Sequence, residues 1–322
     1  MEGFASIMEN KYILGIDGGG TKTDAVLCDL SGHVVARFIG PASSITGQGV
    51  EKAREALHAV VAKVLEGMDE KAGVCACYAG ISGGGLPANR KVFREILAEV
   101  LPDCAFLENG SDAVNVLTAG IGIKDGVIAI AGTGSCIYAR THGELSQVGG
   151  WGYLLGDEGS GFDLGRRAIM TALKALDGRG AAQEVLSLCE EKMGMPLRDY
   201  ISVLYRSDAK TEIASFAPLL LKAAQEGSVA AKAECQAAAA EIAEAILTAD
   251  RLVGAKCVVT GGSIWKNDYY RGLVQEKLGK EFKMISIDLP PVYGAVLQAA
   301  AQAGCKAEAS FEKNFRITLM EE

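Results

Sequence analysis

The amino-acid sequence predicts an α/β protein with two domains. Each half of the chain opens with an apolar strand, a glycine-rich turn and a second strand, and strands then alternate with stretches of helical periodicity. The chain has 322 residues, which is long for one hydrophobic core and sufficient for two. We therefore expect two α/β units that are related by a weak internal repeat.

The first half of the chain is typical of one α/β domain. Its first three apolar runs are separated by short turns, which predicts an antiparallel meander. Apolar residues at helical spacing then predict a long helix, and two further strand and helix pairs follow. The predicted strands span residues 12–16, 23–28, 34–39, 74–81 and 105–108, and the predicted helices span 50–66, 89–100 and 111–119.

The second half begins in the same way and continues with long helices. A strand over 126–131 leads through a glycine turn into a strand over 135–140 and a hairpin that continues over 145–148. The helix predicted over 228–253 is rich in alanine, the residue with the highest helix propensity. The remaining predicted elements are helices over 162–176, 180–193, 211–226 and 291–303 and strands over 256–260 and 284–287.

Composition and charge are typical of a soluble globular protein, with 49% hydrophobic and 22% charged residues. The net charge of −8 gives no indication of a nucleic-acid partner. No window reaches the ~18 apolar residues of a membrane span, and the acidic N-terminus does not resemble a signal peptide. The nine cysteines include no CxxC pair, which favours reduced thiols, so we expect a cytoplasmic protein.

The first glycine-rich turn is Asp17-Gly18-Gly19-Gly20-Thr21-Lys22-Thr23. It is not a Walker A loop, because Thr21 separates Gly20 from Lys22. Exposed backbone N–H groups and hydroxyls suit phosphate oxygens, and Asp17 could orient Mg²⁺ through water. The alternative interpretation is a glycine hairpin with a capping aspartate.

The second glycine-rich turn is Ala131-Gly132-Thr133-Gly134-Ser135, which has no carboxylate. It supplies backbone N–H groups and the hydroxyls of Thr133 and Ser135. A plain turn is the alternative for this segment alone. Because two such turns lie about a domain's length apart, we predict that the two halves bind one polyphosphate from two sides.

Three further segments are candidates for binding or catalysis. Asp112 begins a predicted helix and could accept a proton from an attacking alcohol, or it could simply cap the helix. In the glycine-rich segment 149–161, Trp151 could stack on a sugar while Asp157 and Glu158 bind hydroxyls; the alternative is a packed tryptophan beside solvated acids. The two glycines Gly261 and Gly262 allow the backbone to approach a flat ligand such as adenine closely; the alternative is a simple turn at the start of a helix.

Together these motifs resemble the BadF/BadG/BcrA/BcrD-type ATPase family and its N-acetylglucosamine kinases, within the actin-like ATPase superfamily of sugar kinases, Hsp70 and actin. The resemblance runs from about Tyr12 to Ala303 and is most specific over 150–160. It implies two actin-like, ribonuclease H-like lobes, each a mixed five-stranded sheet flanked by helices, with a cleft between them. We expect the N-terminal lobe over 1–117, with 305–322 as a candidate addition, and the C-terminal lobe with helical insertions over 118–304.

The resemblance also implies a role for each matching residue. Asp17 would be the acid on the Mg²⁺ side, acting through water, and Asp112 would be the general base. The phosphates would contact the two turns, at Asp17, Gly18, Gly19, Gly20, Thr21, Lys22, Thr23, Gly132, Thr133 and Gly134. Adenosine would lie against Gly261 and Gly262. The sugar would contact Ser43, Ser44, Asn109, Ser135, Gly150, Trp151 and Asp157.

One segment departs from the family pattern. The amino-sugar kinases usually have an asparagine after the third strand, in a Gly-Pro-Ala-Asn-like segment, whereas this chain has Gly40-Pro41-Ala42-Ser43-Ser44. A serine is shorter than an amide and offers fewer hydrogen bonds. The identity of the sugar therefore stays open, and a substituted sugar such as N-acetylmuramic acid is one explanation.

The resemblance implies an ATP-dependent kinase that uses Mg²⁺ and phosphorylates a hydroxyl of N-acetylglucosamine or a related amino sugar, such as N-acetylmuramic acid or glucosamine. We expect a small-molecule sugar as partner, with no nucleic acid and no membrane, and a homodimer stays open. One alternative is an ATPase that activates a partner reductase or dehydratase through a shared iron–sulfur cluster. Cys136 follows the second turn without a second cysteine at cluster spacing, which argues against it. The other alternative is a non-catalytic sugar-sensing protein.

Overall fold

The computed structural model describes residues 11–68, 72–206, 209–305 and 309–320. The chain divides into two compact units. Unit 1 contains the described residues up to Lys124 and again from Ile287 onward, and unit 2 is Asp125–Ser286. Each unit contains one sheet with helices packed against it, which confirms the expected α/β class.

The sheet of unit 1 is mixed and has the strand order β3-β2-β1-β4-β5. Its strands are β1 (Lys11–Gly18), β2 (Thr23–Asp29), β3 (Val34–Gly40), β4 (Gly73–Ile81) and β5 (Phe106–Gly110). The first three strands form the expected antiparallel meander, and β1, β4 and β5 are parallel. The helices are α1 (Ile45–Gln48), α2 (Val50–Leu65), α3 (Pro87–Val100), α4 (Asp112–Ile121), α12 (Val292–Gln302) and α13 (Ala309–Leu319).

The sheet of unit 2 has the corresponding order β10-β9-β6-β7-β8. Its strands are β6 (Gly126–Ala131), β7 (Ser135–Thr141), β8 (Glu144–Val148), β9 (Cys257–Gly261) and β10 (Lys283–Ser286). The helices are α5 (Gly161–Leu176), α6 (Gln183–Met193), α7 (Leu197–Leu204), α8 (Ala209–Ala214), α9 (Ala217–Gln225), α10 (Val229–Val253) and α11 (Asp268–Leu278). An antiparallel meander joined to parallel strands thus occurs twice, which confirms the expected pair of five-stranded mixed sheets.

The division into units differs from the expected boundaries at 117/118 and 304/305. Helix α12 belongs to unit 1, where it packs against α4 and β1. A Cβ at Gly294 would overlap the carbonyl oxygen of Asn115, so a glycine is needed for this close approach of the two helices. Helical periodicity predicts that 291–303 is a helix but carries no information on which sheet the helix covers.

Several helices differ from the sequence prediction, which did not include α1, α7, α11 or α13. The single helix expected over 211–226 is two helices, α8 and α9, with Pro218 in the first turn of the second. Helix α13 was not expected; it buries Phe311 and Phe315, and the Phe315 ring lies 4.7 Å from that of Tyr293. The division of 211–226 and the formation of α13 depend on tertiary packing that local sequence patterns do not encode.

The hydrophobic cores hold the strand ends that carry the candidate site. Leu14 and Ile16 of β1 are fully buried in the core of unit 1, directly before Asp17. Burial of such a side chain contributes roughly 1.5–3 kcal/mol, so the end of β1 is firmly fixed. In unit 2 the alanine-rich helix α10 buries Ala238, Ala239 and Ile242 in the core beneath β6 and β7. Among the described helices, none is long and apolar enough to cross a membrane.

Candidate functional site

Asp17 lies at the carboxyl end of β1, where its side chain is desolvated and close to other acids. The pKa of the Asp17 carboxyl is raised from its usual 3.8 to about 6, mainly by burial and in smaller part by the neighbouring carboxylates Asp112 and Asp24. The side-chain amide of Asn115 opposes this shift: its Nδ2 donates to Asp17 Oδ1 at 2.7 Å. A bound cation would offset the free-energy cost of ionising this desolvated carboxyl. Asp17 is therefore suited to bind a metal ion or a metal-bound water.

Asn115 fixes the position of Asp17 from the neighbouring helix α4. The asparagine is fully buried, and its Nδ2 also lies 3.3 Å from the Ile16 carbonyl and 3.1 Å from the Gly80 carbonyl. A Cβ at Gly80 would overlap the Asn115 side chain, so glycine leaves the space that the amide occupies. Sequence reasoning missed Asn115, although a buried polar residue one turn after Asp112 in an apolar helix is a usable signal.

Asp112 is the first residue of α4, and Ser111 is its N-cap. The Ser111 hydroxyl accepts from Ala113 N at 3.2 Å, and Asp112 Oδ1 accepts from the same N–H at 3.0 Å. Burial raises the pKa of the Asp112 carboxyl, while the Ser111 hydroxyl and the Ala113 N–H partly offset the shift. The Ser111 hydroxyl, at 3.2 Å, and the Ala113 N–H both donate to Oδ1 of Asp112, so this oxygen takes part in capping the helix.

The first glycine-rich turn is tight and open to solvent. Gly19 N donates to Lys22 O at 2.9 Å, which closes the turn between β1 and β2. Gly20, Thr21 and Lys22 are exposed, and no described atom lies within 4 Å of a Cβ built on Gly20. An anion can therefore approach the backbone of this turn, as the phosphate-binding prediction requires.

Thr23 is the member of the predicted phosphate set that faces the interior. It is 0% exposed, its hydroxyl donates to Pro41 O at 2.7 Å, and it lies 2.9 Å from Ser43 Oγ. The backbone of Ser43 in turn donates to Gly19 O at 3.2 Å. Thr23 thus ties the segment after β3 to the first turn instead of presenting a hydroxyl to solvent.

The three predicted sugar-binding residues in unit 1 are buried, and two of them, Ser43 and Ser44, lie beside this turn. Ser43 and Ser44 are 0% and 5% exposed, and Ser44 Oγ lies 3.4 Å from the Ser82 carbonyl. Ser82 N donates to Gly18 O at 2.8 Å, so this segment and the end of β4 are joined to the turn. Asn109 is 1% exposed and its Nδ2 donates to Arg90 O at 3.0 Å.

The second glycine-rich turn is anchored to the start of helix α5. Gly132 N donates to Gly134 O at 2.8 Å within the turn. Gly161 N donates to Gly132 O at 2.7 Å, and Phe162 N donates to Thr133 O at 2.9 Å. The carbonyl groups of the turn therefore point into the protein, and this leaves its other face to a ligand.

A cavity of about 410 Å³ lies beside the second turn. Its lining is mainly apolar, with hydroxyl groups and three larger polar side chains, Lys222, Gln225 and Asn267; the other lining residues include Gly132, Thr133, Thr211, Ala214, Leu221 and Ser263. Cavities that hold small ligands are about 300–1,000 Å³ and have such a lining, so the adenosine part of a nucleotide fits. The lining residues from helices α8 and α9 were not identified from the sequence.

The predicted adenosine residues Gly261 and Gly262 lie at the edge of this cavity but do not line it. Gly261 is buried at the end of β9, opposite Ile130 of β6. Gly262 has φ +103°, and a Cβ there would overlap the Ala131 carbonyl, so this glycine permits the close approach of two strand ends. The next residue, Ser263, lines the cavity.

The glycine-rich segment after β8 contains both exposed and buried members of the predicted sugar site. Gly150 has φ +71° and packs against Ser135 and Cys136. Ser135 is 6% exposed and its hydroxyl donates to Glu158 O at 2.9 Å. Trp151 is 67% exposed, so the alternative of a packed tryptophan is wrong and its ring is free to stack on a ligand.

Asp157 is buried beside the second turn. It is 4% exposed and adopts φ +59°, a strained conformation for a residue other than glycine. Its Oδ1 accepts from Gly152 N at 3.2 Å, and its Oδ2 lies 3.2 Å from Lys210 Nζ. A Cβ at Gly134 would lie 2.5 Å from Asp157 Oδ2. The structure thus brings the predicted sugar residue Asp157 next to the predicted phosphate residue Gly134, with a lysine that the sequence did not indicate.

The acids of unit 1 fit a magnesium ion bound together with phosphate. Mg²⁺ is usually held by one or two carboxylates, waters and substrate phosphates instead of a dedicated protein cage. Asp17 lies beside the open first turn and supplies one such carboxylate, while the negative charge of Asp112 contributes to the raised pKa of Asp17. Within the described part of the chain, no group of three or more His, Cys, Asp or Glu side chains could hold a metal ion.

Comparison with known proteins identifies relatives over nearly the whole chain. The sequence is 30% identical over 313 residues to the N-acetylmuramic acid/N-acetylglucosamine kinase of Clostridium acetobutylicum, covering 91% of this chain and 99% of the relative. It is 29% identical over 317 residues to the N-acetyl-D-glucosamine kinase of Dictyostelium discoideum, covering 91% and 98%.

A solved structure has the same fold. The protein from Chromobacterium violaceum that is named a candidate N-acetylglucosamine kinase matches with a TM-score of 0.68 and 27% identity, covering 89% of this chain and 98% of that chain. The sequence profile of the BadF/BadG/BcrA/BcrD ATPase family matches residues 14–299. The chain has the actin-like sugar-kinase fold and belongs to the BadF/BadG/BcrA/BcrD ATPase family.

Proposed function

We propose that this protein is an ATP-dependent kinase that transfers a phosphoryl group to a hydroxyl of an amino sugar. The observation that carries the proposal is the pair Asp17 and Asp112. Both carboxyl pKa values are raised by burial, and the two groups interact at the carboxyl ends of the parallel strands of the unit 1 sheet. Ligands of α/β sheets bind at this edge, and the amino-sugar kinases among the relatives support the reaction type.

Asp112 is the general base in this proposal. Its carboxylate accepts the proton of the sugar hydroxyl as the hydroxyl oxygen attacks the terminal phosphate. Burial raises its pKa towards the working pH, which makes the carboxylate a better proton acceptor than an ordinary aspartate. A positioned base contributes roughly 10²–10⁴-fold to the rate.

Asp17 and the first turn bind the phosphate side. The exposed backbone of Gly20 and Thr21 supplies N–H groups to phosphate oxygens. Asp17, with a carboxyl pKa of about 6, is ionised at higher pH and would hold Mg²⁺ through water; the ion when bound would neutralise charge on the phosphates. The second turn holds the phosphates in the same way, and the adjacent cavity holds adenosine.

The sugar contacts the segment that carries Trp151 and Asp157. The exposed ring of Trp151 offers a stacking surface, and the carboxylate of Asp157 is held rigid by Gly152 N. We propose N-acetylglucosamine or N-acetylmuramic acid as substrate, since the Clostridium relative is named for both sugars. We assign the reaction to the cytoplasm, and a homodimer stays a prediction.

A coupled ADP-release assay tests the function. We expect ADP release with Mg²⁺ and ATP to be stimulated by at least one of N-acetylglucosamine, N-acetylmuramic acid, glucosamine and N-acetylmannosamine, and less by glucose. ATP turnover that no sugar stimulates would contradict the kinase function and favour an ATPase that acts on a partner. Sugar binding without any turnover would favour a sugar-sensing protein.

A further inference from the structure

We infer that Lys210 is a phosphate-binding residue, whose ammonium group contacts the terminal phosphates of a nucleotide held on the second glycine-rich turn. This inference rests on the proposed function, because it takes the cavity beside that turn as the site of ATP. It adds a cation to a turn that carries no charged side chain over 131–135.

The position of Lys210 places its charge at the turn. Lys210 belongs to the short helix α8, and its Nζ lies 3.2 Å from Asp157 Oδ2. A Cβ built on Gly134 would lie 3.2 Å from the same nitrogen. A phosphate oxygen above Gly134 is therefore within reach of the ammonium group through a small side-chain movement.

Helix α8 also lines the cavity. Thr211 and Ala214 contact the same 410 Å³ space as Gly132 and Thr133. A nucleotide whose adenosine occupies this cavity and whose phosphates follow the turn from Gly132 towards Gly134 reaches Lys210 at its charged end. The order of the residues along the turn thus matches the order of the parts of ATP.

The partner of Lys210 is one that a phosphate can replace. The lysine side chain is 36% exposed, and its ammonium also lies 5.4 Å above the Tyr153 ring. Asp157 has a second hydrogen bond, from Gly152 N, so the carboxylate stays held when the lysine moves. A terminal phosphate carries more negative charge than one carboxylate and attracts the ammonium more strongly.

Nucleotide titration of the full chain, with Mg²⁺ and without sugar, tests this inference. We expect Lys210→Met to weaken ATP and ADP binding by about tenfold or more while AMP binding stays unchanged. Lys210→Gln keeps a hydrogen-bond donor for Asp157 but no charge, and should show the same selective loss. Lys210→Arg should retain most of the preference for ATP over AMP.

Lys277→Met is the matched control. Lys277 is an exposed lysine at the end of α11, about 15 Å along that helix from the cavity end, and its loss should leave all three affinities unchanged. If both Lys210→Met and Lys210→Gln keep the wild-type ratio of ATP to AMP affinity, the inference is wrong. It is equally wrong if AMP affinity falls as much as ATP affinity.

The result is separate from that of the sugar assay. A wild-type protein that binds ATP through Lys210 but phosphorylates no amino sugar would retain this inference and remove the proposed function. If the wild-type protein phosphorylates an amino sugar while Lys210→Met and Lys210→Gln bind ATP normally, the proposed function is retained and the inference on Lys210 is wrong.

Discussion

The Nδ2 atom of Asn115 lies 2.7 Å from Oδ1 of Asp17, across 98 residues of sequence. This hydrogen bond joins the helix that begins at Asp112 to the strand end that carries Asp17. The buried amide also donates to the carbonyl oxygens of Ile16 and Gly80. The two acids of the candidate site are therefore positioned by one side chain that contacts both elements.

Asn115→Ala should shift the pH dependence of the reaction. The amide lowers the pKa of Asp17, so its loss raises that pKa above about 6. Since Asp17 must be ionised to act with Mg²⁺, the acid limb of kcat/KM moves to higher pH. The measurement is kcat/KM between pH 5 and 9 with saturating Mg²⁺.

Gln298→Ala is the control for this change. Its Nε2 donates to Thr118 Oγ1 at 2.8 Å, so it removes a hydrogen bond between helices of the same unit without contact to Asp17. This variant should keep the wild-type acid limb. An Asn115→Ala profile that coincides with that of Gln298→Ala would contradict the positioning role of Asn115.

Gly80→Ala should displace Asn115 and impair both stability and activity. The added Cβ overlaps the buried amide, and such overpacking costs about 1–3 kcal/mol in free energy of unfolding. Gly73→Ala lies in the same strand β4, where no described atom is within 4 Å of the Cβ, and should change stability by less than about 0.5 kcal/mol. Urea unfolding of both variants gives the comparison, and equal losses would refute the explanation.

Asp17→Asn should stabilise the protein at neutral pH. The folded-state pKa of about 6 lies above the usual 3.8, so the wild-type protein loses stability as pH rises through this window. A neutral amide avoids that loss. Above pH 6 we expect the free energy of unfolding of Asp17→Asn to exceed that of wild type by up to about 3 kcal/mol, and this difference vanishes towards pH 4. Thermal unfolding of both proteins at pH 4, 5 and 8 measures this difference in stability. A stability gain that does not depend on pH would contradict the raised pKa of Asp17.

Thr23→Val should weaken sugar binding through Ser43. The change removes the hydroxyl that bonds Pro41 and Ser43, while the volume of the side chain is kept. We expect a higher KM for the sugar with ATP affinity within about twofold of wild type, because the open part of the first turn is not altered. Thr260→Val, which removes a hydrogen bond to Ile285 O in unit 2, is the matched control. A loss confined to ATP affinity would instead assign Thr23 to the phosphates.

Much of the fold follows from local sequence patterns. Apolar strands that end in glycine turns identified both meanders, and helical periodicity identified the long helices. The packing of α12 against β1 was not predictable in this way, because it depends on Gly294 meeting Asn115. The same holds for helix α13, whose existence depends on burial of Phe311 and Phe315.

The candidate site shows the same contrast. Asp17, Asp112 and the two glycine turns were identified because each lies directly after a strand, where the local pattern marks it. Asn115 and Lys210 were missed, because their contacts with Asp17 and Asp157 span 98 and 53 residues. Thr23 was assigned to the phosphates, and only the structure shows its hydroxyl turned towards Pro41.

Direct detection of the phosphorylated sugar is the most decisive measurement. Phosphorus NMR of wild type and Asp112→Asn, each with Mg²⁺, ATP and N-acetylglucosamine or N-acetylmuramic acid, reports the transfer itself. We expect a sugar phosphate with wild type and a rate lower by about 10²–10⁴-fold with Asp112→Asn, while ATP affinity stays near that of wild type. Sugar phosphate formed at the wild-type rate by Asp112→Asn would contradict the role of Asp112 as the base. No sugar phosphate formed by wild type with either sugar would contradict the proposed kinase function.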